Sequence, residues 1–191
     1  LVARTASGTL RGEITLHART QQMPLWRGDL RWSGIELERF VKARNTNAAA
    51  ATTQRAPGYL SGTLGGSANV SGRGRSIGAV MSTLDGNAGL WVRDGSVSHL
   101  LVELAGIDIA ESLGVLIKGD QRLPLRCAVA QWSLSDGVAR PQAALVDTQD
   151  TTLLISGELS LAKETLALVV TAQPHDMSLF SLRAPLRING N

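Results

Sequence analysis

Alternation of apolar and polar residues is the strongest pattern along this chain. In residues 9–16, Leu10, Ile14 and Leu16 alternate with threonine, arginine and glutamate. The same period of two recurs in residues 26–33, 59–70 and 152–161. Because successive side chains of a strand point to opposite faces, these runs predict strands with one buried and one wet face, as in antiparallel sheets.

Dipeptides that favour tight turns separate several of these runs. We expect Asp94-Gly95 to turn a hairpin within residues 89–104, and Asp136-Gly137 to turn a second one within residues 125–148. A third hairpin is predicted through Ala162-Lys163-Glu164. Asp85-Gly86 and Asn189-Gly190 are further turn signals.

Three short helices are predicted between the strands. The clearest follows "VSGRGRS" (70–76), where Gly72 and Gly74 let the backbone turn out of a strand and Ser76 is placed as the N-cap. This loop lacks the lysine and the spacing of a phosphate-binding P-loop, so we interpret it as a structural hinge. The helix is expected to cover a sheet with four apolar residues at helical spacing: Ile77, Val80, Met81 and Leu84. Leu37, Phe40 and Val41 predict a shorter helix, and residues 108–118 predict a third.

These elements predict a mainly β (α+β) fold of curved antiparallel sheet with a few short helices packed on or capping it. We expect one domain over residues 1–191, in which residues 59–191 form the main β-rich unit. Residues 1–43 are a possible first sheet layer, and residues 44–58, which show no clear period and end in Pro57-Gly58, are interpreted as a loop.

Composition narrows the class of partner. The 191 residues carry 19 basic and 16 acidic side chains, a formal net charge of +3, and the arginines form no basic stripe flanked by stacking aromatics. Nucleic-acid binding is therefore not expected. No apolar run is long enough to span a bilayer. Because the chain begins with Leu1, we expect an excised fragment whose targeting segment would lie upstream.

Candidate chemistry is sparse. His17, His99 and His175 lie far apart, and none has a second ligand at metal spacing. Cys127 sits in an apolar run and is expected to be an inert buried thiol. Asp147 and Asp150 are expected to lie in a loop, where they are solvated or form a turn. A G-x-S-x-G nucleophile motif is absent. We therefore expect a non-enzymatic protein without catalytic residues, metal or cofactor.

Strands near the end of the chain are apolar on both faces. In residues 165–172, Leu166, Leu168 and Val170 face one way, while Ala167 and Val169 face the other. Such a sheet is either covered on both sides or presents one face to an apolar ligand. The residues alone do not separate the core face from a groove face.

Residues 62–103 resemble the C-terminal region of the AsmA family. That region has a strand with a G-x-G-x-S turn, a helix ending in L-x-G and a later D-G turn. The residues that match this pattern here are Gly72, Gly74, Ser76, Leu84, Gly86, Asp94 and Gly95. The family's cysteine-containing strand with a D-G-x-A turn is matched by Cys127, Asp136, Gly137 and Ala139. Its later series is matched by Asp147, Thr148, Ile155, Gly157, Leu166, Leu168 and Pro174, although Leu159 stands where a second glycine is common. Its close is matched by Pro185 and Gly190.

This resemblance implies a periplasmic domain of a Gram-negative envelope protein that is anchored in the inner membrane and involved in outer-membrane biogenesis. It further implies that phospholipid is held or passed along an apolar β-groove. Residues of one parity would line that groove: Leu153, Ile155, Leu159, Leu166, Leu168 and Val170. The alternative is a structural cap that contacts envelope proteins without binding lipid itself.

Overall fold

A single antiparallel sheet contains every strand in this computed structural model, which describes residues 1–5, 7–18, 22–39, 60–98, 122–175 and 185–190. The ten strands pair in chain order, so each pairs with its neighbours in the sequence and β1 and β10 are the outer strands. Their bounds are β1 Val2–Thr5, β2 Gly8–His17, β3 Leu25–Glu36, β4 Leu60–Arg73, β5 Asp85–Ser98, β6 Arg122–Ser135, β7 Val138–Thr148, β8 Thr151–Ser160, β9 Thr165–Pro174 and β10 Leu186–Gly190. This confirms the prediction of a mainly antiparallel β fold.

Two short helical segments accompany the sheet in the part of the chain that the structure describes. Residues 37–39 are helical directly after β3, and helix α1 (Ile77–Met81) links β4 to β5. Strands β1 to β3 belong to the same sheet as the later strands, because β3 pairs with β4 from Leu25↔Arg73 to Glu36↔Thr63. The predicted loop at 44–58, the predicted helix at 108–118, Phe40, Val41 and His99 lie outside the described residues.

The register separates the side chains into two faces. We call the apolar face the one that holds Leu30 and Leu168, and the polar face the opposite one. Directly opposed residues share a face in an antiparallel pair. On the apolar face the opposed pairs include Leu16↔Trp26, Leu64↔Val92, Val97↔Leu123, Val146↔Leu153, Ile155↔Val170 and Leu168↔Ile188. The polar face carries serine, threonine, asparagine and most of the strand charges.

The most closely packed part of the apolar face lies where β3 ends and β4 begins. Leu37, Val92 and Leu125 form a buried cluster there. Three half-buried residues pack against this cluster: Leu64, Ala128 and Val146. Thr148 is completely buried nearby, and its Oγ1 donates to the Thr151 carbonyl at 2.8 Å while accepting from the Thr151 N–H at 3.1 Å.

The predicted turns at Asp136-Gly137 and at 162–164 are confirmed as the connections of β6 to β7 and of β8 to β9. The hairpin predicted at Asp94-Gly95 is wrong, because β5 runs without interruption from Asp85 to Ser98. Asp94 has a φ of 54°, and the β4–β5 register shifts between Ser61 and Thr63. Asp94 therefore takes up its positive φ in a β-bulge within β5 and not in a turn. Asn189-Gly190 likewise lies within β10.

Helix α1 begins as predicted but covers less than expected. The Ser76 hydroxyl accepts from the Ala79 N–H at 3.2 Å, which confirms the N-cap. Val80 and Leu84 lie against Gly72 of β4, but Ile77 is 80% exposed and Met81 is 39% exposed. Only half of the predicted apolar stripe therefore packs, because five helical residues make too few turns to bury all of it.

Candidate functional site

The six candidate groove residues all lie on the apolar face, on strands β8 and β9. The register opposes Ile155 to Val170 and Leu159 to Leu166, while Leu168 lies opposite Gly157. Alternation along each strand brings Leu153 to the same side. The structure thus brings together all the residues that the sequence suggested for an apolar surface.

These residues differ in accessibility. Leu153 and Val170 are each only 8% exposed and are part of the packed interior. Ile155, Leu159, Leu166 and Leu168 are half-buried. On the neighbouring strand β10, Ile188 lies opposite Leu168 and is 40% exposed. The accessible part of this surface is therefore a strip of five aliphatic residues over three strands: Ile155, Leu159, Leu166, Leu168 and Ile188.

The apolar face is also accessible at the other side of the sheet. Ile14 and Leu16 of β2 are 55% and 48% exposed, and Trp26 of β3 is 37% exposed. Leu90 of β5 is 38% exposed on the same face. Accessible apolar side chains thus occur on both sides of the buried cluster, and this distribution marks the apolar face as the candidate binding surface.

A glycine allows one large ring on this face to lie flat on the sheet. A Cβ atom at Gly66 would come within 2.5 Å of the Trp32 ring, so the indole occupies the space that a side chain would fill. Trp26 is held differently, because its Nε1–H donates to the Gly74 carbonyl at 3.1 Å. The two tryptophans are therefore fixed in place on the apolar face.

The histidines do not form a catalytic arrangement within the described residues. His17 is exposed at the end of β2. His175 follows β9, where its Nε2 lies 3.0 Å from Thr152 Oγ1 and 3.4 Å from Asp147 Oδ1. In a Ser/Thr-His-Asp triad the carboxylate contacts the ring nitrogen that does not face the hydroxyl, whereas here both groups lie at the same nitrogen.

The His175 network instead ties the β7–β8 turn to the end of β9. Its Nδ1 lies 2.9 Å from the Gln149 carbonyl, and its backbone N–H donates to the Asp150 carbonyl at 2.9 Å. Asp147 accepts from Thr152 Oγ1 at 2.6 Å, and its other oxygen lies 3.5 Å from Arg126 Nε. The expectation that Asp147 lies in a loop is therefore wrong, because this residue belongs to β7 and its carboxylate has partners. The members of this network come from three strands, a turn and the residue that follows β9, so no local sequence pattern indicates it.

Cys127 lies on the polar face opposite Asp147 and is half-buried. Among the residues that the structure describes, no group of three or more His, Cys, Asp or Glu side chains is arranged to hold a metal ion. Over the same residues, no helix combines the length and apolar character needed to cross a membrane.

Comparison with known proteins finds a relative in the AsmA family. The chain is similar to the AsmA family protein YhjG of Escherichia coli (strain K12), with 33% identity over 129 residues. The alignment covers 68% of this chain and 19% of that protein, so the chain spans about a fifth of the relative's length. No family model and no solved structure matches the chain.

Proposed function

This chain is a relative of the AsmA family, and from that premise we propose that its apolar face holds or passes the acyl chains of phospholipid. The observation that carries the proposal is the accessible strip on β8, β9 and β10. A folded sheet seldom leaves aliphatic residues of three adjacent strands in water unless they contact something. Acyl chains suit such a surface, because each buried methylene contributes about 0.8 kcal/mol without any polar partner.

The proposal includes the setting of the domain. We place it in the periplasm, as part of an inner-membrane-anchored protein that serves outer-membrane biogenesis in a Gram-negative envelope. Its action requires no catalysis, since transfer of an acyl chain between apolar surfaces breaks no covalent bond. Support comes from the family relationship and from the separated positions of the described histidines, His17 and His175.

A matched pair of substitutions tests the apolar strip. Ile188 on the apolar face is 40% exposed, and Leu154 on the polar face is 36% exposed. Because both are accessible, replacing either with glutamine costs little folding free energy. We expect Ile188→Gln to weaken uptake of a fluorescent phosphatidylethanolamine several-fold and Leu154→Gln to leave it unchanged.

Lipid extraction and mass spectrometry of the purified domain provide the direct measurement. We expect phospholipid to co-purify with the wild-type chain and to be reduced in Ile188→Gln. A lipid-free domain that takes up no labelled lipid would refute the proposal for this segment. Equal uptake by the two variants would refute the assignment to the apolar face.

A second candidate function is a cap that contacts an envelope protein without binding lipid. The observation that favours it is the edge of β10, which within the described residues pairs only with β9. An exposed strand edge accepts a further strand through backbone hydrogen bonds. A photocrosslinking residue at Asn189 of β10 would then capture a protein in the envelope, whereas one at Asn69 of the central strand β4 would not.

A further inference from the structure

Two arginines oppose each other on the polar face of the sheet. The β2–β3 register places Arg11 directly opposite Arg31. Like charges at such positions destabilise a sheet, so this arrangement calls for a compensating anion. Arg31 Nε lies 4.0 Å from Asp29 Oδ1, whereas the Arg11 guanidinium has no hydrogen bond or ion pair with any other residue that the structure describes.

A cavity of about 650 Å³ is lined by both arginines. Thr9 and Ser33 also line it, and their hydroxyl oxygens lie 3.3 Å apart on the neighbouring positions of β2 and β3. Trp91 of β5 also lines the cavity. Residues from β2, β3 and β5 therefore converge on one opening.

Trp91 is held in place from both sides. A Cβ atom at Gly65 would lie 2.1 Å from the ring, so the indole rests on the glycine backbone. The Arg93 guanidinium stacks on the ring, with its central carbon 4.2 Å from the centroid. The indole N–H has no hydrogen-bond partner among the described residues.

The groups around the cavity are mostly donors. The guanidinium groups, the two hydroxyls and the indole all offer N–H or O–H groups. Asp29 is the acidic residue of the lining, and it already accepts from Asn69 Nδ2 at 3.2 Å. Glu13 lies opposite Asp29, so the acidic pair borders the arginine pair on one side only.

A charge-balanced surface is the competing explanation. The Glu13–Asp29 pair lies next to the Arg11–Arg31 pair and offsets part of its repulsion. This explanation accounts for the contact between Arg31 and Asp29, but it leaves the Arg11 guanidinium without a partner within the described residues. It also gives no reason for two hydroxyls and an indole to surround the same cavity.

We propose that this cavity binds a phosphate-bearing anion between Arg11 and Arg31. The planar guanidinium matches the geometry of phosphate oxygens and donates two parallel hydrogen bonds to them. The hydroxyls of Thr9 and Ser33 supply further donors at the side of the cavity away from Asp29. The site lies on the face opposite the apolar strip. Its test is therefore independent of the test of the acyl-chain proposal.

Calorimetric titration of the purified chain with inorganic phosphate and with glycerol 3-phosphate tests the site, at ionic strength matched with chloride. We expect Arg11→Gln/Arg31→Gln to bind at least about tenfold more weakly than wild type. The control is Arg75→Gln/Arg187→Gln, which removes the same charge from two exposed residues elsewhere. Its affinity should stay within about twofold of wild type.

Equal losses in the two double variants, or no binding by the wild type above the chloride background, would overturn the proposal. Thermal unfolding checks that each variant is folded. If the double variant is unstable, the affinity of the single variant Arg11→Gln is measured in its place. Arg11→Lys/Arg31→Lys keeps both charges but loses the planar fork, so we expect an intermediate affinity. Wild-type affinity in the lysine variant would overturn the claim that the planar guanidinium geometry recognises the phosphate.

Vesicles identify the source of the phosphate group. Phosphatidylcholine vesicles with and without phosphatidic acid are compared in a flotation assay with the wild type and the two glutamine variants. Binding that requires both phosphatidic acid and the arginine pair assigns a lipid headgroup. Phosphate binding without vesicle binding assigns a water-soluble ligand, and both results support the site.

Discussion

The junction between β4 and helix α1 depends on the absence of a single methyl group at Gly74. A Cβ atom there would lie 2.6 Å from Ala79 Cβ, 2.7 Å from Ala79 C and 2.7 Å from Val80 N. Two of these atoms belong to the helix backbone, which cannot rotate away as a side chain does. We therefore expect Gly74→Ala to push α1 off the sheet.

The cost has two parts. Overpacking of this kind destabilises by about 1–3 kcal/mol. Gly74 also donates its N–H to the Pro24 carbonyl at 3.0 Å and accepts from Trp26 Nε1 at 3.1 Å, and each bond contributes about 1 kcal/mol net. If the displacement weakens one of them, Gly74→Ala lowers the free energy of unfolding by about 2–4 kcal/mol. For a chain of this size that is a fall in Tm of about 5–15 °C.

Gly78 provides a matched control within the same helix. No atom lies within 4 Å of a Cβ built there, so an added methyl meets only solvent. Alanine is favoured over glycine in helices by about 0.5–1 kcal/mol. We therefore expect Gly78→Ala to raise the free energy of unfolding slightly.

Urea unfolding followed by far-UV circular dichroism measures both variants, with equal m-values as the check that the same surface unfolds. The two glycine-to-alanine changes should alter the free energy of unfolding in opposite directions. Wild-type stability for Gly74→Ala, or equal losses at both positions, would refute this prediction.

Further expectations concern the buried turn and the hinge. Thr148→Val removes the hydroxyl that bonds the N–H and the carbonyl of Thr151. It should lower the free energy of unfolding, measured in urea, by about 1–3 kcal/mol. Thr148→Ser keeps the hydroxyl and should lower that free energy by less. A Thr148→Val protein as stable as the serine variant would contradict this account. Arg73→Gln/Arg75→Gln should leave Tm within about 1 °C of wild type, because both side chains are exposed. A larger fall in Tm would show that these two arginines stabilise the fold.

The candidate site could be predicted in part. The parity of residues along β8 and β9 places all six proposed groove residues on one face, and the register confirms that they share it. Their accessibility did not follow from parity. Leu153 and Val170 are buried while Leu166 and Leu168 remain half-buried, because burial depends on contacts with residues distant in the sequence, which parity does not specify.

The Asp-Gly pairs show the limit of local sequence signals. Asp136-Gly137 turns β6 into β7, whereas Asp94-Gly95 forms a bulge inside β5. Both sites contain an aspartate with positive φ, 48° at Asp136 and 54° at Asp94. The difference is that residues on both sides of Asp94 continue to pair with β6, from Val92↔Ala128 to Gly95↔Leu125. Pairing partners distant in the chain therefore decide between turn and bulge.

The amino-acid pattern is enough to predict most of the described strands and their two faces, because alternation is a property of each strand's own residues. It also determined the hinge at Gly72 and Gly74 and the N-cap at Ser76, which depend on local backbone geometry. The tertiary structure alone decided which residues meet across strands. Arg11 and Arg31 are 20 positions apart in the sequence, and only the β2–β3 register brings them into opposition. That contact depends on the alignment of two strands, which neither strand encodes separately.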